Sequence, residues 1–326
     1  MPFLVEPGLV EPVTRGLLGA INVGDGSTDE QRAILWSVVD HLWGRSDLKD
    51  ADLSQLEPME LAAVVVDEGA RRRFHLILVT LELSRHPFSA EQVERAEAYA
   101  EALSLHGADL EICRDWIASG AEAAMADWMR CFGSVASLNE EPSLHGTRSS
   151  SDEDAWSPQP VDPELLSRIE EFRHLAPDSL GQSFLEFYRR NEIPVPGSQG
   201  DSMMTAVAVS HDMNHVIAGY EPSGQGEIAL GAFQMAMNDC EENLVQFLGN
   251  LLIHEAGVLD PGGFSPKSGS LLRPGAIELL GEAFERGARV RRDFSHTDHF
   301  AMAAWSLDEV REEFGVVPVT VDSPGI

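Results

Sequence analysis

The apolar residues of this chain recur three and four positions apart, and long runs that alternate apolar with polar residues are hard to find. An α-helix turns once in about 3.6 residues, so that spacing lines a single face. A chain patterned this way buries its core by packing helix on helix, and the expected fold class is all-α. In "STDEQRAILWSVVDHLWG", Ile34, Leu35, Val38, Val39, Leu42 and Trp43 form one apolar stripe, with Gly44 placed to end the helix. Ser27 and Glu30 stand ahead of it at the spacing of a capping box, which satisfies free amides at a helix start. "RRRFHLILVTLELSRHP" is a strongly apolar helix that must stop before Pro87. Ser89 and Gln92 repeat the cap spacing before "VERAEAYAEALSLHG", and "LEICRDWIASGAEAAMADWMRCF" supplies another helix.

At 326 residues there is room for two ordinary domains. The stretch 139 to 163, "NEEPSLHGTRSSSDEDAWSPQPVDP", is rich in serine, proline and charge and has little periodicity. It reads as a linker between helical domains at 1–138 and 164–326. Acids number 54 against 23 Lys and Arg, a formal charge of −31. That field repels phosphate backbones, so nucleic acid is not an expected partner. Cys113, Cys131 and Cys240 are odd in number, far apart and in no CxxC pattern, as reduced thiols in a cytoplasmic protein would be. The opening "MPFLVEPGLVEPVTRG" has no basic start and no continuous apolar core, so it is not a signal peptide. No run approaches the roughly 20 apolar residues of a membrane span. Membrane contact, at the inner membrane, is expected to be peripheral only.

The stretch with most chemistry is "HDMNHVIAGYEPSGQGE", residues 211 to 227. On a helix over 203 to 219, His211 and His215 share one face and Asp212 borders it. Pro222 and three glycines then break the helix and can turn the chain back, so that Glu227, in the first turn of the next helix, reaches the same point. A lone histidine on a helix is usually a surface or satisfied core residue. Two at ligand spacing, with carboxylates beside and after them, suit a divalent first-row metal. An H-E-x-x-H peptidase is not expected, because Asp212, one methylene shorter, stands where the glutamate base would be. Other polar groups have plainer readings. His296, Asp298 and His299 fall in a loop and are solvated or capping residues. His254 and Glu255 mark the polar end of an apolar helix, and Gly231 and Ala232 with "LGN" allow close helix packing.

"HDMNH", eleven residues and then "GEIAL" resembles the HDxxH-x11-E signature of the coenzyme Q (ubiquinone) biosynthesis protein 4 family. "SLGQSFLEFYRRNEI", "ERGARVRRDF" and "WSLDEVREEFGVVP" resemble its flanking segments, so the likeness covers about residues 164 to 320. It implies an all-helical domain whose metal ligands are His211, Asp212, His215 and Glu227. Zinc is the implied metal, with iron or manganese as alternatives. The implied work is ubiquinone synthesis in a membrane-associated assembly, where a ring carboxylate is replaced by a hydroxyl. The N-terminal half resembles tellurite-resistance TerB-like helical domains, whose acidic turn before a helix is similar to Asp25-Gly26. No site is placed there, since acids are favoured at a helix N-terminus. One departure matters: many family members carry R-x-R-x-x-H-D before the motif, whereas here the stretch is "AVAVSHD". Arginine is the natural bidentate partner of a carboxylate, so its loss points to another ring.

The expected function is therefore a metal-dependent enzyme, of lyase or oxidative-decarboxylase type, on a quinone-like or prenylated aromatic molecule. Asp212 is the catalytic candidate, as a base or as the residue that orients a ligand. Two alternatives stand beside it. One is a tailoring enzyme of specialised metabolism; the other is a non-catalytic lipid-binding scaffold that organises biosynthetic proteins. Homo-oligomers are compatible with either.

Overall fold

The computed structural model describes residues 5–106, 111–120, 123–124, 163–198, 205–257 and 268–321. Cys131 and all but the last residue of the expected linker lie outside these, as does most of the part beyond Gly120 of the helix expected over "LEICRDWIASGAEAAMADWMRCF". Fourteen α-helices occur among the described residues. In chain order they are α1 (Pro7–Ile21), α2 (Asp29–Ser37), α3 (Pro58–Val64), α4 (Glu68–Leu83), α5 (Ala90–Ala102), α6 (Ile112–Ser119) and α7 (Pro163–Glu171). They continue as α8 (Leu180–Arg190), α9 (Thr205–Ala218), α10 (Gly224–Met237), α11 (Glu241–Asn250), α12 (Ala276–Arg289), α13 (His299–Met302) and α14 (Leu307–Phe314). Among the described residues β-pairing is limited to two isolated antiparallel bridges, Ser179–Ser306 and Ala256–Ser268. The fold is all-α, as the spacing of apolar residues requires. No helix among the described residues is long and apolar enough to cross a membrane.

Contacts divide the chain into two compact units. The first joins Met1–Phe132 to Ser223–Ala288 and Val321–Ile326; the second joins Gly133–Pro222 to Arg289–Thr320. This division differs from the expected domains at 1–138 and 164–326. In this division the later segment 223–288 packs with the N-terminal helices.

In the first unit, α2 starts one residue later than the Ser27–Glu30 spacing implies. Thr28 is its cap: the Gln31 amide donates to Thr28 Oγ1 at 3.3 Å, and the Thr28 amide donates to Gln31 Oε1 at 3.0 Å. Gln31 is selected because its amide group also donates. Its Nε2 reaches the Leu81 carbonyl at 3.0 Å and Gln92 Oε1 at 3.1 Å, while Gln92 Nε2 donates to the Ala20 carbonyl at 2.8 Å. A glutamate at 31 could cap but could not donate into this buried network. The apolar stripe runs on through a π-helical turn, Val38–Leu42, and the chain leaves it at Gly44, whose φ is +63°. Helices α10 and α11 pack closely, as the small residues allow. A Cβ on Gly231 would stand 2.8 Å from Phe247 Cδ2 and 3.1 Å from its Cα. Beyond α11 a π-helical turn, Leu251–Glu255, carries His254 and Glu255 inward. Glu255 is fully buried and His254 nearly so, a correction to their reading as a polar helix end.

In the second unit, Ser179 caps α8 by accepting from the Gln182 amide at 3.2 Å. The starts of α8 and α14 are tied together: the Leu180 amide donates to the Trp305 carbonyl at 2.8 Å, and the Leu307 amide to the Asp178 carbonyl at 2.9 Å. Gly181 makes the approach feasible, since a Cβ there would meet Leu175 and Phe172 side chains at 2.8 and 2.9 Å and the Ala303 carbonyl at 3.2 Å. Phe184, Phe187 and Tyr188 of α8 and Met213 and Ile217 of α9 are buried, as is Phe314 of α14. Arg311 of α14 donates through Nε to the Ile217 carbonyl at 2.9 Å and through Nη2 to the Val216 carbonyl at 3.1 Å. A cation thus satisfies the free carbonyls at the negative end of α9.

Candidate metal centre

Helix α9 places His211 and His215 one turn apart, and their Nε2 atoms approach to 3.2 Å. Two ligands held at about 2.0–2.1 Å by one tetrahedral ion lie about 3.3 Å apart, so the separation fits a shared ion as well as it fits a hydrogen bond between the rings. His215 is fully buried, and its Nδ1 lies 3.0 Å from the Tyr220 carbonyl. A carbonyl only accepts, so Nδ1 carries the hydrogen and the Nε2 lone pair faces His211. This is how proteins fix the tautomer of a ligating histidine. The return of the chain depends on Gly219, with φ of +86°; the amides of Gly219 and Tyr220 both donate to the His215 carbonyl, at 2.7 and 3.1 Å. Phe187 stacks on the His215 ring with centroids 5.7 Å apart.

Asp212 is engaged by a residue that sequence reasoning missed. The Tyr188 hydroxyl, on α8, donates a hydrogen bond to Asp212 Oδ2. "FLEFYRR" reads as an aromatic packing face, and only its hydroxyl at one position signals more. Glu227 sits in the first turn of α10, after the Ser223 cap, and is buried; by contacts it belongs to the first unit, while both histidines belong to the second.

Behind the histidines, Asn214 Nδ2 donates to the Ser295 carbonyl at 3.3 Å, which turns Oδ1 towards His299 Nε2 at 3.1 Å. His299 is buried rather than solvated, which corrects its loop reading. Burial, aided by the nearby His296, pushes its imidazole down to about 4, while the Asp298 carboxylate and the Phe294 carbonyl pull the other way. Asp298 does cap, accepting from the Ala301 amide at 3.1 Å to start α13. His296 is exposed.

A cavity of about 530 Å³ lies within the second unit, lined among others by Gln182, Ser183, Glu186, Arg190, His215 and Arg311. Its two arginines are already engaged. Arg190 pairs with Glu221 at 2.6 Å, and Arg311 holds the end of α9.

No family model matches this chain, and no curated protein matches it. Among solved structures it is similar to a crystal structure from Nostoc punctiforme PCC 73102, described as a candidate ubiquinone biosynthesis protein. The two are 16% identical with a TM-score of 0.33, over 76% of this chain and 97% of that one. A superposition at that score carries no argument about this chain's chemistry.

Proposed function

We propose that this protein is a metal-dependent enzyme acting at a carboxyl or hydroxyl position of a quinone-like or phenolic ring. The observation that supports it is the imidazole pair of α9, with Nε2 atoms 3.2 Å apart and the His215 tautomer set by the Tyr220 carbonyl. His211 and His215 would hold the metal with Glu227, the carboxylate at the family spacing. Zinc suits this donor set, and iron or manganese would also be accepted. Bound there, the metal supplies Lewis-acid polarisation of a substrate oxygen. Asp212, oriented by the Tyr188 hydroxyl, is the side chain placed to hold or move a proton. The cavity beside His215, about 530 Å³, falls in the roughly 300–1,000 Å³ range of small-molecule sites and has room for a ring. Both lining arginines already have partners, Glu221 for Arg190 and the α9 carbonyls for Arg311, which favours a ring other than the carboxylated ubiquinone precursor.

The test uses the full chain and its His215→Ala and Glu227→Ala variants. Elemental analysis should show the loss of one equivalent of divalent metal, and complementation of a quinone pathway should fail while the thermal melt changes little. Folded variants that work without metal refute the enzyme reading. Variants that lose metal and unfold together assign the metal a structural role, as the scaffold alternative requires.

A further inference from the structure

We infer that the first unit contains a second divalent-metal site, formed by Glu30, His86 and Glu255. Each offers one ligand atom, and these atoms lie within 4.8 Å of one another. They come from three separate elements: the first turn of α2, the loop after α4 and the π-helical turn after α11. His86 Nε2 stands 3.0 Å from Glu255 Oε1, close to the separation of about 3.3 Å between two ligands of one tetrahedral ion.

Glu255 and the loop that carries His86 are held by contacts outside the cluster. The Leu271 amide donates to Glu255 Oε2 at 2.7 Å, and the Gly269 amide to the Glu255 carbonyl at 2.9 Å, so this carboxylate is fixed from the loop after it. Arg85, beside His86, donates to the Gly26 carbonyl at 2.9 Å, which pins the loop to the turn before α2. Glu30 is the half-buried member, on a side chain long enough to close the remaining distance.

Charge supplies the second argument. The Glu255 carboxylate is fully buried, and a second carboxylate stands within 4.8 Å of the group it pairs with. Two like charges so placed repel strongly where water is scarce. One imidazole, shared between them, offsets at most one charge; a divalent cation offsets both and leaves the imidazole neutral as a ligand. Two carboxylates and one imidazole suit a first-row cation such as Zn²⁺ or Mn²⁺. The site would clamp 223–288 onto the N-terminal helices, the two parts of a unit that the chain leaves and re-enters. Its role is structural and separate from the α9 histidines.

The experiment removes the α9 site first. A full-length His211→Ala/His215→Ala chain, stripped with chelator, is titrated with Zn²⁺ by calorimetry. The same chain is then tested with Glu30→Gln or with His86→Gln added. One equivalent should bind to the parent and raise its thermal midpoint, and either added change should weaken binding at least about tenfold. Glu30→Gln keeps a side chain of the same size at the helix start and removes its charge, so a folded variant is secured for comparison, checked by circular dichroism. Absence of binding to the parent, or unchanged affinity in the folded Glu30→Gln chain, overturns the site. His86 would then be only the partner of a buried carboxylate.

Discussion

Replacing His299 by glutamine should remove a defined share of the acid sensitivity of the second unit. The neutral ring donates from Nε2 to Asn214 Oδ1 at 3.1 Å and is 3% exposed. Burial holds its pKa at about 4 in the folded chain, against 6.5 for the free side chain. The folded value is the lower one, so the unfolded chain takes up the proton first as pH falls. The contribution is complete above about pH 6.5 and is lost progressively as pH drops towards 4. Each pKa unit corresponds to about 1.4 kcal/mol, so the loss is about 3 kcal/mol. His296 and Asp298 face the same ring with opposite effects, and both remain in the variant. Glutamine can still donate to Asn214 but does not titrate; at pH 7 the change should cost about 1–2 kcal/mol through altered packing and geometry. Urea denaturation of both chains at pH 7, 6, 5 and 4 isolates the effect, because the many carboxylates are common to both. The wild type should lose about 3 kcal/mol more than the variant over that range. Parallel curves, or a His299 ring that titrates near 6.5 by NMR, would refute the reasoning.

Arg311→Leu removes both hydrogen bonds to the end of α9, at 2.9 and 3.1 Å, and should destabilise the chain by about 2–3 kcal/mol. Because α9 carries the imidazole pair, metal should also be released at lower chelator concentration; a lowered melt with unchanged metal retention would show that the two are not linked. Limited proteolysis should cut within 139 to 163, but the fragments should co-elute under native conditions, since the first unit draws on residues before and after the cut. Native fragments that separate on gel filtration would argue against that division.

The helical class and most helix starts could be read from the chain because they depend on neighbours within a turn. The stripe from Ile34 to Leu42 and the Ser89 cap are local periodicity and local hydrogen bonding, and both are present. His211 and His215 meet for the same reason: four residues on a helix is a fixed rise and rotation. Local rules leave some choices open. Ser27 and Thr28 are equivalent caps by spacing, and the choice of Thr28 rests on Gln31 reaching Leu81 and Gln92, residues 50 and 61 positions away. Glu255 has the pattern of a polar helix end because its partners, His86 and the Leu271 amide, stand 169 and 16 positions away. Tyr188 at Asp212, His299 behind Asn214 and Arg311 on the end of α9 likewise join elements whose pairing no periodicity encodes. The return of 223–288 to the N-terminal helices is of the same kind. Sequence alone determined which faces are apolar and which histidines share a turn; tertiary packing decided which buried polar groups meet, because that depends on contacts between segments the chain separates.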